Sequence, residues 1–271
     1  MAGGILNKED YEEPACLLNM KPQITPVPAR RVLEKLDSYL DRNDFDSAER
    51  HLQYWLSEAE QGNDLRGRLT LLNEQIGLFR KSGQKEKCLQ AVEAALTLSE
   101  TIETGTASRG TTLVNAATGC KAFGLAERAE KLYIEAAKVY EECLEPGDAR
   151  LGALYNNMAV TLADLGKYYD ARKLYEKAEK IMSLQPRGRL EIAVTCLNMA
   201  DLVNMECGPE EGESEIARLL GRAEGLLDEE SEKDGYYAFI CDKCAPTFGY
   251  FGYFMTERKL RRIAEEIYER T

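Results

Sequence analysis

The 271-residue chain contains 44% hydrophobic and 30% charged residues, a balance typical of a protein with a buried core and a solvated surface. Its 47 acidic residues outnumber the 35 basic ones, and the net charge is −12. This sign argues against binding to nucleic acid or to anionic membranes, both of which require a basic surface. No stretch of the sequence approaches the roughly 20 apolar residues that span a bilayer.

The N-terminus and the cysteines both favour a cytoplasmic location. The first ten residues lack a basic segment followed by an apolar run, so the sequence shows no secretory signal. The eight cysteines mostly occupy apolar-periodic positions, which favours buried free thiols in a reducing compartment.

Residues 1–29 are predicted to form an extended N-terminal arm. Pro14, Pro22, Pro26 and Pro28 exclude a continuous helix here, because proline fixes φ and removes a backbone donor. The arm also contains several apolar residues, so two interpretations remain open. It is either a frayed tail or a segment that packs on the rest of the chain.

From Ala29 onward a helical period takes over, and between Thr112 and Met182 one helical hairpin occurs twice. Every anchor of the first copy recurs 42 residues later, which is the signature of stacked repeats. The anchors are Asn115, Gly124, Ala129 and Tyr133 in the first copy, and Asn157, Gly166, Ala171 and Tyr175 in the second.

The same template fits the chain six times between residues 30 and 271. Each unit has a helix with a small and a bulky apolar residue, a turn residue, and a second helix with small and bulky residues on one face. In the fifth unit a longer acidic turn, from Gly208 to Ser214, is expected to follow Cys207. The predicted turn residues are Asn43, Gly83, Gly124, Gly166, Cys207 and Gly252.

This pattern resembles the tetratricopeptide repeat family over about residues 30–270, most specifically over 107–184. The 42-residue step and the Leu-Tyr-x-x-Ala segment of the second helix are similar to the kinesin-light-chain variety. The resemblance implies an all-α, right-handed superhelical solenoid of about six antiparallel helix-turn-helix repeats. It also implies a concave groove, lined by the first helix of each repeat, that binds a peptide segment of a partner protein.

The resemblance also suggests which residues line the groove. In the family, an asparagine before the small residue of the first helix often bonds the backbone of a bound peptide. Asn115, Asn157 and Asn198 occupy that position, and an amide can both donate and accept. The alternative is that these amides bond neighbouring helices. Helical spacing adds the following groove-side residues: Asn73, Arg80, Lys81, Lys121, Asn156, Asp164, Asp201, Asn204 and Tyr250.

The basic residues of this set do not decide whether the groove binds an acidic peptide segment. Arg80, Lys81 and Lys121 would favour an acidic or C-terminal segment, unless they simply form solvated helix faces. The paired basic residues of chaperone-type carboxylate clamps are absent, because Thr111, Ala153 and Val194 stand at their positions.

The sequence offers little to a catalytic or metal-dependent mechanism. Cys241 and Cys244 form a C-x-x-C pair, but a zinc site needs two further ligands. His51 is the single histidine, and we expect it to lie at the surface or pack in the repeat. No cofactor, metal or enzymatic activity is therefore expected.

The leading hypothesis is a non-catalytic, cytoplasmic adaptor that binds a protein or peptide segment. One alternative is a peptide-responsive regulator. The other is a self-associating or autoinhibited protein, with the arm in the groove of its own chain or of a second copy in a homo-oligomer.

Overall fold

The computed structural model describes residues 24–102 and 105–270, and all of the regular structure in these ranges is α-helical. None of the described helices is both long and apolar enough to cross a membrane. The helices of these ranges are α1 (Ala29–Leu40), α2 (Phe45–Gln61), α3 (Leu65–Lys81), α4 (Lys85–Ile102), α5 (Ala107–Ala122), α6 (Ala126–Cys143), α7 (Ala149–Asp164), α8 (Tyr168–Met182), α9 (Gly188–Asp228), α10 (Gly235–Tyr250) and α11 (Phe254–Tyr268).

The chain divides into two compact units, residues 1–98 and 99–271. In the first unit α1 packs on α2 and α2 packs on α3. Val32, Leu36, Ala48 and Leu52 are almost completely buried there. Their spacing of three or four residues places them on one face of each helix, as the periodicity predicts.

The described end of the N-terminal arm lies against the connection between α2 and α3. The Thr25 amide donates to the Gly62 carbonyl at 2.9 Å, and the Val27 amide donates to the Asp64 carboxylate at 2.9 Å. These bonds satisfy backbone groups that proline-rich chain cannot pair within itself. Residues 1–23 lie outside the described residues, so the predicted arm of residues 1–29 stays a prediction, as does the 30–271 repeat domain.

In the second unit, helix pairs stack through small and aromatic residues. Pairs form between α5 and α6, α7 and α8, and α10 and α11. Ala129 and Ala171 are completely buried, and Tyr133 and Tyr175 are only 1% exposed. Alanine lets two helices approach closely, and Tyr175 belongs to the same core cluster as Leu202 of the following helix α9.

The first helices of successive pairs also lie side by side. In the second unit α5 contacts α7, and α7 contacts α9. This arrangement builds one continuous surface from the helices that the sequence assigns to the groove.

The fifth repeat differs from the sequence expectation. The chain remains helical through Cys207 and breaks at Gly208 alone, with φ 82° and ψ 170°, a conformation essentially confined to glycine. Pro209 then begins the second helical segment of α9. At the first position of a helix the backbone N–H has no hydrogen-bond partner within the helix, so its absence in proline does not destabilise the helix. The predicted turn position at Cys207 is therefore wrong, and so is the predicted acidic turn from Gly208 to Ser214 beyond Gly208 itself, because the acidic segment is helical.

Five of the seven residues from Phe248 to Phe254 are aromatic, and they are divided between the core and the surface. Phe248 is fully buried, whereas Tyr250 is 70% and Phe254 58% exposed. The neighbouring Cys241 and Cys244 belong to the buried core. Burial raises the pKa of the Cys244 thiol to about 12, so it stays protonated and unreactive at neutral pH.

His51 packs within the first repeat. One of its ring nitrogens lies 3.0 Å from the Val32 carbonyl oxygen, and its ring contacts Tyr39 and Trp55 edge-on. These contacts account for the histidine by packing.

Candidate functional site

An open cavity of about 620 Å³ runs along the side-by-side first helices of the second unit. We call it the Asp201 cavity. Its walls come from α5, α7, residues 188–207 of α9, and α10, and part of its floor comes from α8. The lining residues are Lys121, Val160, Ala163, Asp164, Tyr175, Asn198, Asp201, Leu202, Asn204, Met205, Pro246, Thr247 and Tyr250.

One end of the Asp201 cavity is electrostatically balanced. The Lys121 ammonium lies 3.3 Å from the Asp164 carboxylate, and both side chains are partly exposed. The positive charge predicted for Lys121 is therefore matched inside the cavity. Arg80 and Lys81, at the end of α3, are exposed residues of the other unit and do not line this cavity.

The asparagines predicted to read a peptide backbone divide into two groups. Asn198 lines the cavity, and its amide donates to the Asn156 side-chain oxygen at 3.1 Å. Asn115 and Asn157 are half-buried on α5 and α7 and do not line it. The Asn198–Asn156 bond joins neighbouring repeats, as the structural alternative proposed, and the peptide-reading role stays a prediction.

The opposite rim is aromatic. Asn204 donates its side-chain amide to the Tyr250 hydroxyl at 3.2 Å, and Met205 beside them is 44% exposed. Asn204 and Tyr250 also line an adjoining cavity of about 670 Å³, together with Phe251 and Tyr253. The two cavities thus share one polar-aromatic rim.

Asp201 is the least compensated charge in the cavity. Its side chain is half-buried, and no hydrogen bond or ion pair from the described residues reaches it. Burial raises the pKa of this carboxyl from 3.8 to about 6, because desolvation disfavours the charged form. Perturbed carboxyls in clefts are frequent at functional sites.

Tyr175 is the second uncompensated polar group, and sequence reasoning missed it. In the preceding repeat the equivalent Tyr133 hydroxyl is hydrogen-bonded to Thr118 at 2.9 Å. Forty-two residues after Thr118 stands Val160, which cannot form this bond. The Tyr175 side chain is 1% exposed, lines the cavity, and has no hydrogen-bond partner among the described residues.

Tyr175 lines the same cavity as the two carboxylates, Asp164 and Asp201. Its pKa is raised by burial and, in second place, by the negative charges of Asp201 and Asp164. The change from Thr118 to Val160 at equivalent positions of the two copies was the sequence signal that could have revealed it. The cavity therefore combines two acceptor groups without protein donors, apolar walls and an aromatic rim.

A model of the tetratricopeptide repeat family matches residues 108–183. This stretch consists of tetratricopeptide repeats. The tetratricopeptide repeats include the two hairpin copies whose equivalent positions are 42 residues apart, and they carry Lys121, Val160, Asp164 and Tyr175 of the cavity. The predicted family resemblance is thereby confirmed.

Solved structures with the same fold extend the comparison beyond the tetratricopeptide repeats. BtubC (BKLC) from P. vanneervenii is 15% identical, with a TM-score of 0.57 over 84% of this chain and 91% of that one. A putative kinesin light chain from Podosopora anserina with nearly identical TPR-like repeats is 15% identical, with a TM-score of 0.50 over 75% and 96%.

A Rap protein complexed with competence and sporulation factor is a third structure with this fold. It is 14% identical, with a TM-score of 0.59 over 90% of this chain and 65% of that one. At such identities the likeness concerns the fold alone. No curated protein sequence matches the chain.

Proposed function

We propose that this protein is a non-catalytic adaptor that binds a peptide segment of a partner protein in the Asp201 cavity. The observation that carries the proposal is the cavity itself. Helices of successive repeats build it, and it presents buried apolar walls beside polar groups that lack protein partners. A peptide side chain could fill it while the backbone crosses the exposed rim.

The dimensions of the cavity support a segment rather than a broad protein surface. Its volume of about 620 Å³ lies within the range of roughly 300–1,000 Å³ that is usual for ligand pockets. Such a volume holds a few side chains. The adjoining cavity of about 670 Å³ gives neighbouring residues of an extended peptide a second place to bind.

A peptide-responsive regulator is the second candidate. A Rap protein of the same fold was solved complexed with competence and sporulation factor, so this fold is compatible with a bound factor. Regulation would require that binding changes the population of two conformations. We rank this candidate second because the cavity is an argument for peptide binding but not for a second conformation of the protein.

Two exposed tyrosines provide a matched test of the adaptor proposal. Tyr250 is 70% exposed and lines the Asp201 cavity, whereas Tyr169 is 69% exposed on α8 and does not. A random heptapeptide display library would be selected on the full-length chain, and the best peptide measured by calorimetry against wild type, Tyr250→Ala and Tyr169→Ala. We expect about tenfold weaker binding for Tyr250→Ala, a loss equivalent to about 1.4 kcal/mol, and no change for Tyr169→Ala.

Two results would contradict the adaptor proposal. One is a selection in which no sequence is enriched over beads without protein. The other is an equal effect of the two substitutions, which would place the peptide outside the Asp201 cavity.

A further inference from the structure

The part of the Asp201 cavity that Asp201 and Tyr175 line has the chemistry of a cation receptor. Asp201 carries a negative charge without a counter-ion among the described residues, and Tyr175, which also lines the cavity, adds a hydroxyl oxygen without a hydrogen-bond partner among them. Lys121, the basic residue among those that line the cavity, is already paired with Asp164. A carboxylate and a hydroxyl together accept hydrogen bonds well from an ammonium or guanidinium group.

The surrounding walls suit the stem of a long basic side chain. Val160, Ala163 and Leu202 line the cavity, and Ala163 and Leu202 are almost fully buried. Lysine and arginine bury their methylene groups along apolar surface while the charged end reaches a polar partner. A metal ion or a small inorganic cation would leave these apolar walls without contacts.

The charge of the whole chain favours the same occupant. The net charge of −12 attracts basic segments over long distances and repels acidic ones. The described residues of the cavity also provide no unpaired cation for an acidic ligand. The sequence-based option of an acidic or C-terminal segment therefore fits this cavity poorly.

We infer that Asp201 and Tyr175 hold the charged end of a lysine or arginine side chain from the bound segment. The inference rests on the proposed function, because it identifies the chemistry of the peptide that the cavity binds. Asp201 supplies the charge, and Tyr175 supplies the second acceptor. The apolar walls supply contact for the stem.

A positional peptide scan provides the test. The probes are heptapeptides with acetylated N-termini and amidated C-termini, derived from the best display sequence, so that side chains are their only cations. Each position is fixed in turn as lysine, arginine, glutamine or glutamate. On wild-type protein we expect one position at which lysine or arginine binds at least about tenfold more tightly than glutamine, the order expected for a charge-assisted hydrogen bond.

The variants assign that preference to named residues. In Asp201→Asn the preference for lysine over glutamine should fall to about one. In Asp170→Asn, which removes the same charge from an exposed position of α8, the preference should be unchanged. Tyr175→Phe keeps the ring and removes the hydroxyl, so it should lower the preference by a smaller factor, of about threefold. Circular dichroism would verify that each variant is folded.

The outcomes separate the two proposals. If peptides bind but no position prefers a basic residue, the cation receptor is wrong and the adaptor function stands. If Asp201→Asn keeps the preference, the basic side chain is held elsewhere. If no heptapeptide binds at all, the adaptor function fails and the inference fails with it.

Discussion

Asp201 is a carboxylate that the fold keeps partly out of water without a compensating charge. Among the residues lining its cavity, the titratable groups are Asp164 from α7, Lys121 from α5, Tyr175 from α8 and Tyr250 from α10. Lys121 is bound to Asp164, so desolvation of Asp201 is uncompensated. A charge that costs stability is a recurrent feature of binding sites, where the cost is recovered on binding.

The elevated pKa of Asp201 makes a stability prediction with a defined sign. The carboxyl has a pKa of 3.8 in the unfolded chain and about 6 in the fold. Because the fold binds this proton more tightly than the unfolded chain does, protonation of Asp201 stabilises the fold. This stabilisation is fully present below pH 3.8 and is lost as the pH rises through about 6. We therefore expect the free energy of unfolding of Asp201→Asn, measured by urea denaturation at pH 7, to exceed that of wild type by on the order of 2 kcal/mol. Near pH 3.5 the two proteins should have the same free energy of unfolding.

Asp170→Asn is the control for this measurement, because it removes the same charge from an exposed position. It should show no such pH-dependent gain. Equal urea midpoints of wild type and Asp201→Asn at pH 7 would mean that the Asp201 carboxylate is well hydrated in the folded protein.

At the scale of the helix pair, the turns decide where each hairpin closes. Gly166 joins α7 to α8 with φ +73°, and a Cβ added there would meet no atom within 4 Å. Its requirement is therefore purely conformational. The first repeat uses Asn43 at φ 53° for the same turn, since asparagine adopts the left-handed region more readily than other non-glycine residues.

Substitutions at Gly166 should reproduce this ranking. We expect Gly166→Ala to destabilise the protein by about 1 kcal/mol, and Gly166→Asn to cost less than that. Chemical denaturation would measure both.

Gly221 lies in the part of α9 that follows the break at Gly208, and a Cβ added there would also meet no atom within 4 Å. Because it lies in an exposed helix interior, Gly221→Ala should instead stabilise by about 0.5–1 kcal/mol. A loss at Gly221 equal to that at Gly166 would refute the conformational explanation.

At the scale of the whole molecule, the excess of acidic residues should act on association kinetics. With a net charge of −12, the field around the protein attracts a basic peptide and is screened by salt. We expect the association rate of a lysine-containing heptapeptide to fall several-fold between about 0.02 M and 0.5 M NaCl. The rate for its glutamine counterpart should change little.

Asp201→Asn separates the global charge from the local contact. It removes one of 47 acidic residues, so the salt dependence of association should persist while dissociation becomes faster. Stopped-flow fluorescence with a labelled peptide would resolve both rates. A salt dependence that disappears in this variant would attribute the attraction to the cavity alone.

The sequence was sufficient for the helix pairs because their determinants are local. Apolar spacing places Ala129 and Tyr133 on one helix face, and a left-handed turn residue closes each hairpin. In the fifth repeat the predicted turn position, Cys207, is one residue before the actual break at Gly208. The start of the following helix was predicted several residues too late, after Ser214. The strong helix break at Gly208 and the favoured first-turn position of Pro209 outweighed the polarity of the acidic segment.

The binding groups needed the tertiary structure, because their properties depend on neighbours distant in sequence. Helical spacing placed Lys121, Asp164 and Asp201 on the groove side. It could not show that Lys121 pairs with Asp164 and leaves Asp201 without a counter-ion, because ion pairing depends on distances between helices. Likewise, the repeat determined that Tyr175 would be buried. Only the packing of α7, α8 and α9 decided that Tyr175 lines one cavity together with two carboxylates, since that cavity exists only between assembled helices.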